Sequence, residues 1–549
     1  MSTVVNYGGR SYVEPGAYAF TKYNPTSAVN SSNFGNVIIL DTGLSNTTMS
    51  GGAVEFELAG GSGFNGQLRK DIKSVYEFDS YEAFKSFMGG GKACEVARKL
   101  FDPLSGTPDA GAPGIPKLYY VRAASTTPAT AVIHLDAGDT SANVLTLTCK
   151  NEGAAGNGIS VDGVLKSGYQ IKTISKTSGV VLQIWKGTFE GEDEFGEFLG
   201  SKDTENSVPI MIFESEEATD CKVVYDEILN NKEVQKHFII SGSNITAGTE
   251  FKTTAAVSTS GGVTNFFTTA DEFDTIFEAI SEIDITAFLC VDKGVSTLND
   301  RIYAYIKGGM SKFTNFMFVP GGESYDDIFG TEDSETSEYI AKYYNSEQAI
   351  TVHGSPELVR NTGNGDKQLS SLYLTASILG MICGGSPQTP PTFKKVGYQN
   401  FVYALKQKER IKALQLGILH LRNVNGYWVI NQGVTTLQDN KQTIALDGQS
   451  LEISIALIKA QLNKELILDA EPRFTGKTAA QADPESVKNF TETKLASLVA
   501  KKGADNLIIS WKNVKVSGQN GDYTVTYDFV PNVPVNKTFF IGNMLDFKF

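Results

Sequence analysis

The sequence predicts a mixed α/β (α+β) chain of several domains, and three observations point there. Its 549 residues suffice for about three or four domains of ~150 residues each. Apolar residues make up 41% and charged residues 20%, as expected of a chain with a full core. Strand-like alternation and helix-like periodicity also succeed one another along most of its length. The predicted layout is an extended N-terminal arm (1–34), a first α/β part (35–129), an inserted small β domain (130–205), an α/β middle domain (206–383), a C-terminal α/β core domain (384–535) and an extended C-terminal arm (536–549).

The arm at 1–34 is rich in glycine, serine and asparagine and has no helical period. "GNVIILDTG" (35–43) predicts the first core strand. "FDSYEAFKSFMGGGKACEVARKLF" predicts a helix, with Asp79 and Glu82 spaced as a cap pair. "PLSGTPDAGAPGIP" (103–116) predicts a loop, and "KLYYVRAAS" (117–125) a strand.

Short alternating strands follow: "ATAVIHLD", "NVLTLTCK", "ISVDGVL", "YQIKTIS" and "VVLQIWKGTF". They predict the inserted β domain. Within it, "NEGAAGNGISV" (151–161) places Gly153, Gly156 and Gly158 in a phosphate-loop style. Such a loop must run from a strand into a helix, so that amides and the helix N-terminus converge on the anion. Here alternation continues on both sides, so the glycines predict a turn between strands.

Next come the strand "VPIMIFES", the helix "CKVVYDEILNN", and the helix "DEFDTIFEAISEI" with Phe273, Ile276, Phe277 and Ile280 on one face. "TAFLCVD" (286–292) and "NFMFVPGG" (315–322) read as buried strands, and "TLNDRIYAYIKGG" and "LSSLYLTASILGMICGG" (369–385) as helices. Strands alternating with helices predict a sheet with helices on its faces. "GGSPQTPPTFKKVG" (384–397) marks a boundary. Beyond it lie "ERIKALQLGILHLRN", "GYWVINQGVTTL", the helices "SLEISIALIKAQLNKELIL" and "ESVKNFTETKLASLVAKKG", and the strands "NLIISWKNVKVSG" and "DYTVTYDFVPNV".

The formal net charge of −14 argues against a general nucleic-acid surface, which needs a cationic face. No apolar run approaches the ~20 residues of a membrane span, and the N-terminus lacks a cationic segment followed by an apolar one. The expectation is a soluble protein made in a cytoplasm. Cys94, Cys149, Cys221, Cys290 and Cys383 are scattered among apolar neighbours without a C-x-x-C, which predicts buried free thiols. His134, His237, His353 and His420 show no metal-ligand spacing. The acidic stretches "EGEDEFGE" (190–197) and "TEDSETSE" (331–338) lack the ligand order of a calcium loop and read as solvated.

Gly476-Lys477-Thr478 in "EPRFTGKTAAQ" copies the tail of a nucleotide-binding P-loop, and Asp292 could end a magnesium-binding strand. The first glycine of that motif is replaced by Glu471, whose carboxylate repels phosphate, and Pro472 follows it. The expectation is a loop before a helix.

Read in order, the chain resembles the contractile tail sheath proteins of tailed phages, kin of R-type pyocin and type VI secretion sheaths. The pieces are "KLYYVRAAS", "GAAGNGISV", "YIAKYYN" (339–345), the 384–397 segment, "GILHLRNVNGYWVINQGVTTL" (417–437), the long helix at 450–467, "RFTGK" (473–477), a helix ending at Lys502-Gly503, and "FVPNVPVNKTFFI". The N-terminal "EPGAYAFTKY" (14–23) departs from the family's pattern, with Ala17 in place of valine.

The resemblance implies a structural subunit that polymerises helically around an inner tail tube and contracts to drive the tube through the host envelope. It implies no catalytic residue, cofactor or metal. The implied partners are further copies of itself, the inner tube protein, and baseplate and tail-terminator proteins, without direct nucleic-acid contact or stable membrane insertion. The location is the virion, after assembly in the host cytoplasm.

A late helix would face the tube, which nominates Lys488, Lys494, Lys501 and Lys502 as docking cations. The aromatic-rich arms cannot satisfy their backbone or bury their rings alone, so Val13, Tyr18, Phe20, Phe539, Phe540, Leu545, Phe547 and Phe549 are expected to join sheets of neighbouring copies. The 130–205 region is expected on the outside of the particle. Two other classes stay open: an NTPase of P-loop type and a non-contractile virion component.

Overall fold

The structure is a computed structural model. It describes residues 5–7, 10–12, 34–41, 47–48, 55–56, 75–88, 92–105, 113–136, 143–152, 156–158, 160–161, 164–165, 168–176, 179–186, 209, 211–215, 220–267, 269–358, 367–437, 452–478, 481–501, 506–519 and 522–532. The chain divides into two compact units, one of Ile38–Arg98 with Lys117–Ile280 and one of Met1–Val37, Lys99–Pro116 and Ser281–Phe549.

In the unit ending at Ile280, the strands Val37–Asp41, Leu118–Arg122 and Tyr76–Phe78 lie in that order. The last two run antiparallel with Tyr76 opposite Tyr120. Phe84, fully buried, packs edge-on against Phe78 at 5.1 Å and Tyr120 at 5.8 Å. The helix expected over this stretch is two helices, Tyr81–Met88 and Lys92–Phe101, divided at the three glycines 89–91. The cap also differs: the Ala83 amide donates to Ser80 Oγ at 3.3 Å, one residue after the expected Asp79.

Among the described residues the β region contains a short antiparallel pair, Ser160–Val161 with Val164–Leu165, and two four-stranded antiparallel sheets. One orders Met211–Ser215, Gly179–Lys186, Tyr169–Lys176 and Val257–Ser258. The other orders Phe238–Ser243, Val144–Glu152, Ala124–His134 and Val263–Phe266. Alternate residues point inward, and Ala131, Ile133, Leu145, Leu147, Ile171, Leu182 and Ile184 form one core. Cys221, Val224 and Ile228 from the helix Cys221–Asn230 complete it. The sheets therefore draw on strands up to Phe266, past the expected edge at 205.

The glycine stretch joins two strands, as its flanking alternation predicts. Gly158 sits where an added Cβ would lie 2.4 Å from Tyr169 O, so the site needs glycine for close backbone approach. Its amide is already used, donating to Thr259 O at 2.7 Å, and Thr259 Oγ1 donates to Gly156 O at 2.6 Å.

In the other unit, four parallel strands order as Ile418–Leu419, Ala349–Val352, Phe316–Pro320 and Ala287–Leu289. They are short, nearly all-apolar runs, as befits strands covered on both faces. The helices Thr297–Gly308, Ser337–Tyr344 and Ser371–Cys383 belong to the same unit. Ser371–Cys383 is buried almost all round, and Gly380 admits the backbone of Lys99 and Leu100. The buried Lys99 ammonium donates to Ser105 O at 2.6 Å and Gly397 O at 2.8 Å, over the Tyr398 ring. Ile418–Leu419 pairs with Ala349–Val352, so residues beyond the 384–397 segment continue the same sheet.

All five cysteines are buried and free. Among the described residues, no helix is long and apolar enough to cross a membrane.

Candidate functional site

The C-terminal stretch carries most of the residues nominated from sequence. Its centre is the helix Ile453–Phe474, buried on most of its circumference. The helix Pro484–Ser497 starts at Asp483, whose carboxylate accepts from the Ser486 amide at 2.9 Å, with Pro484 in the first turn. A ribbon of Ile508–Gln519 and Asp522–Pro531 follows, antiparallel with Trp511 opposite Phe529. Ile458, Leu462 and Leu466 of the long helix, Leu495 and Leu498, and Ile508, Val514 and Phe529 form one core.

A helix buried this widely needs partners for its charges. Lys464, only 6% exposed, reaches Asp284 at 2.6 Å, Lys459 pairs with Glu347, and Glu471 receives Lys312 at 2.6 Å. Lys494 from the following helix bridges Glu465 at 2.8 Å and Asp469 at 2.6 Å. Partial burial lowers the Lys494 pKa and these two carboxylates outweigh it, so the ammonium is held above its ordinary range.

The nominated lysines therefore fall in different settings. Lys494 is committed to the long helix. Lys488 is half-exposed on the helix surface. The helix ends at Ser497, not near Lys502 as expected from sequence, because Val499 turns to bridge Ile508 and Ala500 N donates to Ile508 O. Lys501 lies beyond it, exposed. Lys502, and the arm residues Val13, Tyr18, Phe20, Phe539, Phe540, Leu545, Phe547 and Phe549, lie outside the described residues. Just before the N-terminal group, Val5–Tyr7 pairs with Arg10–Tyr12.

Apart from the Val499 bridge, no other strand pairs with the ribbon among the described residues. Ile509 is half-exposed on it.

The P-loop look-alike has the wrong context. Glu471 and Pro472 are in the last turn of the long helix, and Gly476-Lys477-Thr478 follows a helix, not a strand. The Lys477 amide donates to Phe474 O at 3.2 Å, and its side chain is exposed.

Sequence reasoning missed a buried polar knot. His353 Nδ1 lies 2.9 Å from Ser337 Oγ, which also accepts from the Gly322 amide, and His353 Nε2 meets the Tyr403 hydroxyl. Burial pulls the His353 pKa down to about 3, helped by His420. The partners come from sites 16 and 50 residues away, a spacing that carries no local pattern. His353 and Ser337 are buried, and Tyr403 is half-buried.

No family model matches the chain. The chain is similar to the tail sheath protein of Bacillus phage SP01, with 25% identity over 229 residues, 41% of this chain and 37% of that protein. The match therefore spans well under half the length of that relative. Among solved structures, a sheath tail protein from Desulfitobacterium hafniense superposes with a TM-score of 0.54 at 12% identity, covering 94% of this chain and 100% of that one. A sheath tail protein from Listeria innocua gives a TM-score of 0.48 at 14% identity, covering 92% and 96%. The mixed α/β multi-domain fold expected from the sequence is the fold of the first of these structures.

Proposed function

We propose that this chain is the structural subunit of a contractile tail sheath, which polymerises helically around an inner tube and drives it through a host envelope. One observation carries the reading: the fold is shared with a sheath tail protein across nearly the whole chain. The partial sequence match to a tail sheath protein agrees with it.

The physical organisation supports the same reading. A helical tube needs a head-to-tail interface that does not close. Extended arms suit the addition of strands to a neighbour's sheet, and backbone hydrogen bonds of that kind survive while rigid bodies reorient. Arm residues Val13, Tyr18, Phe20, Phe539, Phe540, Leu545, Phe547 and Phe549 are the candidates for those strands. Lys488, Lys501 and Lys502 remain candidate contacts to the tube, with Lys494 the least available. The β region beginning near 130 is assigned to the outside of the particle.

The stroke is the release of a kinetically held extended state and requires no catalysis or nucleotide. The further partners are the tube protein, the baseplate and the tail terminator. The subunit is assigned to the virion, following assembly in the host cytoplasm.

Negative-stain microscopy of the purified chain tests this. Long tubes of constant diameter are expected as concentration rises. Closed shells or discrete rings would point to a non-contractile virion component, and a permanent monomer that turns over ATP would overturn the structural role.

A further inference from the structure

Charge is unevenly divided along the chain. Residues 253–292 hold seven carboxylates and no lysine or arginine, whereas residues 393–422 hold seven lysines and arginines and one carboxylate, Glu409. Each stretch contains a surface helix, Ala270–Ile280 in one compact unit and Gln407–Gln415 in the other. In Ala270–Ile280 the apolar face is buried, and Asp271, Asp274 and Glu278 are exposed. Spaced three and four apart, these carboxylates stand one above another on the helix. Like charges at that spacing destabilise a helix, and Glu278 lies in the last turn, where the dipole disfavours an anion. The helix has no cation of its own, and Asp271 and Asp274 form no ion pair among the described residues.

The basic helix is built the other way round. Ala413 is its buried residue, and Lys408, Ile411, Lys412 and Gln415 face outward. Lys412 is used within the chain, 3.6 Å from Glu338 and over the Phe329 ring. Lys408 has no ion-pair partner among the described residues, and one turn on from it Ile411 is 50% exposed. An exposed apolar side chain among cations gives this face an apolar centre with a charged rim, the layout of a docking surface.

We propose that the acidic face of Ala270–Ile280 docks on the basic face of Gln407–Gln415 in the next copy of the chain. The occupant follows from charge complementarity: every copy carries both faces, each exposed and each short of the opposite charge. Two different faces of one chain that fit each other make a head-to-tail contact, which repeats without closing. The inference deepens the sheath reading and rests on it for the second copy.

The test uses the full-length chain: wild type, Lys408→Glu, Asp271→Lys/Asp274→Lys, and all three changes together. Sedimentation and negative stain read the concentration at which tubes appear. Each one-sided reversal sets like charges against each other and should raise that threshold about 10-fold. The combined chain restores opposite charges and should form tubes at a lower concentration than either one-sided variant. The wild-type threshold should climb with added salt. Thermal midpoints taken below the threshold should match wild type throughout. A midpoint that falls in the one-sided variants and recovers in the combined chain would put the pairing inside one copy and overturn the proposal. Where lysine disturbs folding, Asp271→Asn/Asp274→Asn takes its place, with a threshold about 3-fold above wild type and a weaker salt dependence expected; unchanged values would overturn the docking. Unchanged thresholds in the one-sided variants, or a combined threshold above both, overturn the docking and leave the sheath reading standing. A wild type that never forms tubes overturns the sheath reading, and with it the second copy as occupant.

Discussion

His353 Nδ1 lies 2.9 Å from Ser337 Oγ at the start of a helix, in the interior of its unit. Burial penalises a protonated imidazole there, and the nearby Asp327 carboxylate offsets only part of that penalty.

The first prediction concerns acid. Burial lowers the pKa of His353 to about 3, and of His420 and His237 to about 4. The unfolded value is about 6.5, so the unfolded chain binds more protons below it. The stabilisation is complete above about pH 6.5 and falls as pH drops toward 4. Between pH 7 and 5, where most carboxylates stay ionised, the thermal midpoint should fall steadily, and His353→Gln should flatten part of that slope. A midpoint constant from pH 7 to 5 would show that these rings are protonated in the folded chain.

Lys494→Ala should cost about 1–2 kcal/mol, since it leaves Glu465 and Asp469 without their shared cation in a partly buried site. Lys488→Ala should stay within about 0.5 kcal/mol, as for other surface changes. Urea unfolding of both variants checks the order. A larger loss for Lys488 would contradict the assignment of Lys494 to internal bracing.

Lys477→Ala should leave tube formation intact, and magnesium-ATP should not shift the thermal midpoint of the wild type. The reason is a helix where a phosphate loop requires a strand. A midpoint raised by nucleotide, and lost in the variant, would reinstate the NTPase.

Deleting residues 1–20 or 538–549 should yield a folded chain that sediments as a monomer and forms no tubes. The motivation is the aromatic content of both arms, which an isolated extended segment cannot bury by itself. Normal tubes from either truncation would make the arms dispensable.

The local elements were legible because their signals are local. Phe273, Ile276, Phe277 and Ile280 repeat at helical spacing and are buried together on Ala270–Ile280. Tyr169, Ile171 and Thr173 alternate and point inward. Partnership was not legible. Met211–Ser215 reads as the start of a βα alternation, yet it pairs antiparallel with Gly179–Lys186. Ile418–Leu419 adds to a parallel sheet across a segment that looks like a linker. Lys494 reads as a free cation until the preceding helix supplies its carboxylates.

The ribbon of Ile508–Gln519 and Asp522–Pro531 has a mechanical consequence. A force that separates its two open ends, at Ile508 and Pro531, breaks cross-strand pairs one after another, like a zip. A strand laid along either outer edge and pulled along its own axis loads all its hydrogen bonds together, in shear. Cross-strand hydrogen bonds thus yield readily to peeling and resist sliding, so the direction of the load decides whether a linkage through this ribbon holds.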